Sequence, residues 1–268
     1  MSKSSGRMAR GGVLLSERDG EVLTLILNRP DASNAIDNML REELTRTLDD
    51  VVANRHVRVI VLTSTGEDAF SVGMDVAEIA GFTPLEIELA GVRARGIYER
   101  MAALEIPIIA AIKGACLGAG FELALHADLR LARADARFGL PGINVGMNAG
   151  GGAIARLQRV SGVGSAAALA LTGGVVTAER AFMLGLVSNV AGMQDFGPSV
   201  QQLASHLATL SPVAVAETKK LLGIAAERGI EAAAEQSPKS LVRCFAEGDA
   251  GERLRMLIGG RDPEATVH

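Results

Sequence analysis

Gly114 to Asp128 reads GACLGAGFELALHAD, and the reading of this stretch decides the fold. Ahead of it the apolar run Ile108–Ile112 has the character of a buried strand. Behind the glycines, Phe121-Glu122-Leu123-Ala124-Leu125 opens a helix. Strand, glycine turn and helix start bring unpaired backbone N–H groups and the positive end of a helix dipole to one spot. An anion, or an oxygen becoming one, can be held there. Glu122 stands in the first turn of that helix on an otherwise apolar segment. A carboxylate in that place either caps N–H groups or faces a pocket as an acid or base.

On the N-terminal side, Val22–Leu27 (VLTLIL) reads as a buried strand after a hairpin turn at Asp19-Gly20. The spacing of Met39, Leu40, Leu44, Leu48, Val51 and Val52 predicts a helix over 37–52, with Asp37 as its cap. Val59–Leu62 (VIVL) is the next buried strand, and strand–helix–strand in this order makes a right-handed βαβ unit. After the loop TSTGEDAFSVGMD come a short helix, 76–80, and a long one. Thr83-Pro84 starts the long helix, which runs to about Leu104 and stops before Pro107.

On the C-terminal side, Leu129–Ala132 and Arg137-Phe138 read as short strands. From Ala149 the pattern turns helical, with segments near 150–160, 162–172, 178–185, 197–210, 212–227 and 230–257. Thr177 and Ser211 are their clearest caps. The expected layout is a disordered leader over 1–12, an α/β core over 13–195 and a helical region over 196–268.

Composition narrows the function. Hydrophobic residues at 48% and charged residues at 22% describe an ordinary globular chain, and a net charge of −4 without a Lys/Arg block argues against nucleic acid. No apolar run approaches a membrane span, and the polar N-terminus lacks the apolar centre of a signal peptide. Cys116 and Cys244 have no disulfide or metal-site spacing, which fits a reducing, cytoplasmic setting and no metal. The histidines are scattered, and His126 reads as a packed or surface residue rather than a catalyst. As a nucleotide-binding motif, GAGFEL lacks a third glycine and a later acidic residue.

Three loops follow three strands: Ala32-Ser33-Asn34-Ala35, Ser71-Val72-Gly73-Met74-Asp75 and Leu117-Gly118-Ala119-Gly120-Phe121-Glu122. With NRPDASNAI, AFSVGMDVAEI, IPIIAAIKGACLGAGFELALHADLRLA, FGLPGINVGM and TGGVVTAERAFMLGLVSNV, the chain resembles the enoyl-CoA hydratase/isomerase (crotonase) superfamily from about Val13 to Arg261. The resemblance implies an α/β crotonase (ClpP/crotonase-like) fold: repeated ββα units form the core and a C-terminal helical region follows. It implies an oxyanion hole for an acyl-CoA thioester, made by the N–H groups of Met74 and Ala119, with Ala119 in place of the family's usual glycine. Glu122 matches one of the two glutamates with which a hydratase holds and activates water. Ala32, Asn34 and Ala35, with Gly73, Asp75 and Val76, correspond to the CoA-binding wall, and Gly118, Pro141 and Gly142 to the rest of the substrate site. Asp75 and Asp128 match positions that are not catalytic bases. The family assembles as trimers, often paired into hexamers, with C-terminal helices covering neighbouring sites. It needs no separate cofactor, because coenzyme A arrives with the substrate.

The pattern departs from a hydratase at one decisive place. The second glutamate belongs in Phe138-Gly139-Leu140-Pro141-Gly142, at Gly142, and glycine supplies neither a proton nor a side-chain hydrogen bond. Branches that place an aspartate or tyrosine farther along have Ala149 or Gly150 here, and Tyr98, the only tyrosine, lies in another helix. Asn144 and Asn148, or a carboxylate such as Glu78 or Glu86, are the polar groups able to enter the pocket. Hydration or elimination by a single glutamate is the expected chemistry. Isomerisation or decarboxylation through the same enolate, and a non-catalytic acyl-CoA-binding homologue, are the alternatives.

Overall fold

In the computed structural model, residues 12–53 and 56–259 are described. The leader expected over 1–12 therefore lies outside the described residues apart from Gly12.

The first hairpin pairs β1 (Leu14–Asp19) with β2 (Val22–Leu27) antiparallel, Asp19 standing opposite Val22. Gly20 takes a φ of +57°, which the tight turn requires and an L side chain resists. From β2 the chain runs through α1 (Asn38–Ala53), whose Leu40, Leu44, Leu48 and Val51 are buried. Asp37 Oδ1 accepts the Leu40 N–H at 2.8 Å and so caps that helix. β3 (Val59–Ser64) then lies parallel to β2.

From β3 onward one unit repeats: a strand of a large sheet, a three-residue strand of a small sheet, then a helix. β3 is followed by β4 (Ala69–Ser71), α2 (Val76–Ile79) and α3 (Pro84–Ala103). Next come β5 (Ile108–Ile112), β6 (Ala115–Leu117) and α4 (Ala119–Leu125). The third pass is β7 (Leu129–Arg133), β8 (Arg137–Gly139) and α5 (Ala153–Thr172). β9 (Val175–Thr177), α6 (Ala178–Met183) and β10 (Asn189–Ala191) complete the sheets. The large sheet has the order β1-β2-β3-β5-β7-β10 and is parallel except for the first hairpin. The small sheet has the order β4-β6-β8-β9. Sequence reading misses most of this second sheet, because a three-residue strand is too short for a period-2 pattern. Successive passes stack the turns after β4, β6 and β8 side by side.

The remaining helices are α7 (Phe196–Thr209), α8 (Pro212–Arg228), α9 (Ile230–Ala246) and α10 (Ala250–Ile258). The described residues fall into two compact units: one holds those up to Leu104 and Ile108–Ala208, the other Glu105–Pro107 and those from Thr209 on. The first unit runs to the end of α7, past the boundary expected at 196. That helix lays Phe196, Val200, Leu203, Ala204 and Leu207 on Val59, Val61, Ile109 and Ala111 of the large sheet, so its burial ties it to the core. The two segments expected near 150–160 and 162–172 are borne out, since Gly162 (φ 78°, ψ 163°) breaks α5 into two helices. One helical expectation changes: 230–257 is split into α9 and α10. Ser211 sits at the start of α8 without a side-chain cap bond, whereas Thr177 accepts the Arg180 N–H.

Candidate active site

The site grows from the turn between β6 and α4. Gly118, at φ +50° and ψ −128°, turns the strand into the helix, and Gly120 lets α4 sit on β4. A Cβ on Gly120 would lie 2.5 Å from Ser71 Cβ and 2.6 Å from Ser71 O. The loop after β4 comes equally near: a Cβ on Gly73 would lie 3.1 Å from Ala119 N. Met74 and Ala119 are therefore neighbours, and both line a cavity of about 310 Å³. As the first residue of α4, Ala119 has an N–H that no carbonyl of its own helix can accept.

The loops beneath are locked together by main chain and by one arginine. Ile36 N donates to Gly73 O at 2.7 Å, Val72 N to Ser33 O at 3.2 Å and Asp75 N to Ile36 O at 3.2 Å. Arg29 donates to Ala35 O at 2.6 Å and to Asp75 Oδ2 at 2.9 Å, and lies 3.3 Å from Asp37. Asn34, at φ 54°, donates to Thr65 O and Ala69 O and accepts the Arg29 N–H. Asp75 caps α2 through the Ala77 and Glu78 N–H groups, and its ion pair with Arg29 holds its carboxyl below the usual range. Asn34 and Asp75 thus spend their side chains on the frame.

Glu122 is 6% exposed and lines the cavity. It does not cap its own helix. Its Oε2 accepts the Gly151 N–H at 2.8 Å, from the loop before α5. Burial raises its pKa from the usual carboxylate value, and the Gly151 and Gly150 N–H groups oppose that rise only in part. A carboxylate held ready to take up a proton is the result. The far end of α4 is fixed by cations on its last carbonyls: Arg130 donates to Ala127 O at 2.6 Å and Arg156 to Leu125 O at 2.8 Å. Asp128 accepts the Ile108 N–H at 2.8 Å and ties the helix exit to β5, a structural task.

The other walls come from residues that no motif marks. Ile36 and Leu44 and, from α3, Ile87, Ala90 and Ile97 form an apolar side. Tyr98 and Arg41 also line it, both almost fully buried. The Tyr98 ring stacks on His126 at 4.0 Å and 6°, and His126 Nδ1 meets Glu122 O at 2.7 Å. Burial lowers the His126 pKa to about 4, so the ring is neutral at pH 7. Gly146, Met147 and Asn148 close the opposite side.

Of the residues singled out from the sequence, Met74, Ala119 and Glu122 meet at the cavity, while Ala32, Asn34, Ala35, Gly73, Asp75, Val76, Gly118, Pro141 and Gly142 are not among its lining. Gly142 lies in the turn Pro141–Val145, where its carbonyl accepts the Met147 N–H at 2.9 Å. Asn148 reaches the cavity and Asn144 does not. Glu78 instead pairs with Arg41 at 2.7 Å, and Glu86 closes a capping box with Thr83 on the surface. Neither of these two candidates lines the cavity, because each carboxylate is engaged by nearer donors. Tyr98 and Arg41 escape sequence reading because the fold alone brings α1 and α3 against α4. A buried carboxylate beside a helix start in an apolar chamber is the arrangement of a candidate catalytic site.

The comparisons agree with this class. Residues 17–264 match the Enoyl-CoA hydratase/isomerase family model. The chain is 35% identical over 251 residues to 2,3-dehydroadipyl-CoA hydratase of Escherichia coli, covering 94% of this chain and 97% of that protein. It is 29% identical over 251 residues to short-chain-enoyl-CoA hydratase of Clostridium acetobutylicum, covering 94% and 96%. The crystal structure of enoyl-CoA hydratase from Bacillus anthracis superposes with a TM-score of 0.89 at 29% identity, covering 92% of this chain and 96% of that one. The chain belongs to the enoyl-CoA hydratase/isomerase family of the crotonase superfamily, a family of acyl-CoA-processing enzymes. No described helix is long and apolar enough to cross a membrane.

Proposed function

We propose that this chain adds water to, or eliminates it from, an enoyl-CoA. The thioester oxygen lies between the Met74 and Ala119 N–H groups, and Glu122 exchanges the proton with water. The observation that carries the reading is the buried Glu122 carboxylate, the one acidic side chain among the described residues that line the cavity, beside the start of α4. Attack at the β-carbon moves charge onto the thioester oxygen. Two preorganised N–H donors stabilise it, each contributing about 2.7–4 kcal/mol in comparable sites. Coenzyme A is part of the substrate and reaches the thioester along the Ala32–Ala35 and Gly73–Val76 loops. The apolar walls at Ile36, Leu44, Ile87 and Ile97 suit a short acyl chain.

Gly142 stands where a hydratase keeps its second glutamate, and that glycine favours one competing reading: an acyl-CoA-binding homologue without turnover. Isomerisation or decarboxylation through the same enolate uses the same groups. The chain assembles as a homotrimer or a dimer of trimers, in keeping with the exposed Leu241, Val242 and Phe245 on α9 and Leu257 and Ile258 on α10.

Mixing purified protein with crotonyl-CoA and following the enoyl-thioester absorbance tests the reading. Enzyme-dependent loss with 3-hydroxybutyryl-CoA as product supports it. Saturable binding without product, there and with β,γ-enoyl and malonyl-type esters, selects the binding-only homologue.

A further inference from the structure

The chemistry proposed above needs two proton-handling groups, one for water and one for the α-carbon, and Glu122 is the one carboxylate among the described residues that line the cavity. Apart from Glu122 the titratable side chains on the wall are Arg41 and Tyr98. Tyr98 is 5% exposed and lines the cavity. The ring is held by stacking on His126. Its edge meets the Glu122 carboxylate over Gly151: a Cβ placed on Gly151 would lie 2.3 Å from Tyr98 Cε2 and 2.5 Å from Glu122 Oε2. The phenol is thus stacked on one face and set with its edge beside the Glu122 carboxylate, on the wall that a substrate would meet.

We propose that Tyr98 is the second catalytic residue of this site, the acid that delivers a proton to the substrate α-carbon in the role vacant at Gly142; this rests on the enoyl-CoA reading above. The step balances without a co-reactant. The water oxygen bonds to the β-carbon as its proton passes to Glu122, and the π pair moves onto the α-carbon and thioester oxygen. The Tyr98 O–H proton then goes to the α-carbon, and the proton on Glu122 returns to the phenolate. Burial first, and then the Glu122 charge, hold the Tyr98 proton, while Arg41 loosens it. Protonation of Glu122 by the attacking water removes the second of these restraints. The neutral His126 ring beneath the phenol adds no charge.

Tyr98→Phe keeps the stacked ring and removes only the hydroxyl. In protein active on crotonyl-CoA, kcat should fall about 10²–10⁴-fold, the range for a lost general acid, with KM and melting temperature little changed. A packing role alone would leave kcat intact, and that result overturns the proposal. As Tyr98 is the sole tyrosine, uniform 3-fluorotyrosine labelling alters this phenol and no other. The more acidic phenol should speed hydration in single turnover, and an unchanged rate overturns the proposal even if the phenylalanine variant misfolds. Inactive wild-type protein would instead count against the enoyl-CoA reading itself.

Discussion

Gly151 donates its backbone N–H to the Glu122 carboxylate at 2.8 Å and occupies the one place where any side chain would push that carboxylate and the Tyr98 ring aside. Its neighbour Gly150 has open space around it. Gly151→Ala should therefore lower kcat at least tenfold and cost about 1–3 kcal/mol through overpacking. Gly150→Ala, whose methyl meets nothing within 4 Å, should leave the stability nearly unchanged. Steady-state kinetics and thermal melts of the pair check this, and equal effects at the two glycines would contradict it.

Gly120→Ala meets main chain rather than a side-chain end, since its Cβ would fall 2.6 Å from Ser71 O. The start of α4 must lift away from β4, which separates Ala119 from Met74. The expected result is destabilisation of roughly 1–3 kcal/mol with a fall in kcat larger than any change in KM. Denaturant melts and kinetics read the two effects separately.

Activity should show an acid limb. Glu122 takes a proton from water only when ionised, and burial raises its pKa above 4.5. The rate must therefore fall as pH drops through a value above 4.5, and the limb should vanish in what activity Glu122→Gln retains. A kcat/KM profile in the free enzyme measures it. A limb at or below the ordinary carboxylate value would contradict a buried base.

Stability should carry a separate signature from His126. Its folded pKa of about 4 lies below the ordinary 6.5, so the fold favours the neutral ring. The stabilisation is fully present above pH 6.5 and is lost as pH falls towards 4, because the unfolded chain binds the extra proton. At most roughly 3 kcal/mol is at stake. His126→Phe, which keeps a ring against Tyr98, should flatten the melting temperature over this window.

The long elements were legible because their patterns are long. VLTLIL and VIVL are strands, Asp37 caps α1, and Thr83, Pro84 and Glu86 open α3 with a full capping box. Asp19-Gly20 marked the first hairpin for the same local reason. The strands β4, β6 and β9 carry no pattern of their own, since three residues pair only once the neighbouring strands exist. Within the site, the glycine turn pointed to Ala119 and Glu122 because a turn needs glycine whatever surrounds it. Tyr98 and Arg41 gave no signal: they sit on ordinary amphipathic helices, and only the packing of α1 and α3 against α4 brings them to the cavity. Glu78 and Glu86 drew attention as carboxylates, yet an arginine and a helix start had prior claims on them.

Proton exchange between Glu122 and water is tested by comparing wild-type and Glu122→Gln protein on crotonyl-CoA. Gln keeps the shape and can still accept the Gly151 N–H, but it cannot take a proton from water. In the variant kcat should fall about 10²–10⁴-fold with crotonyl-CoA affinity retained. Unchanged turnover in the variant would contradict it.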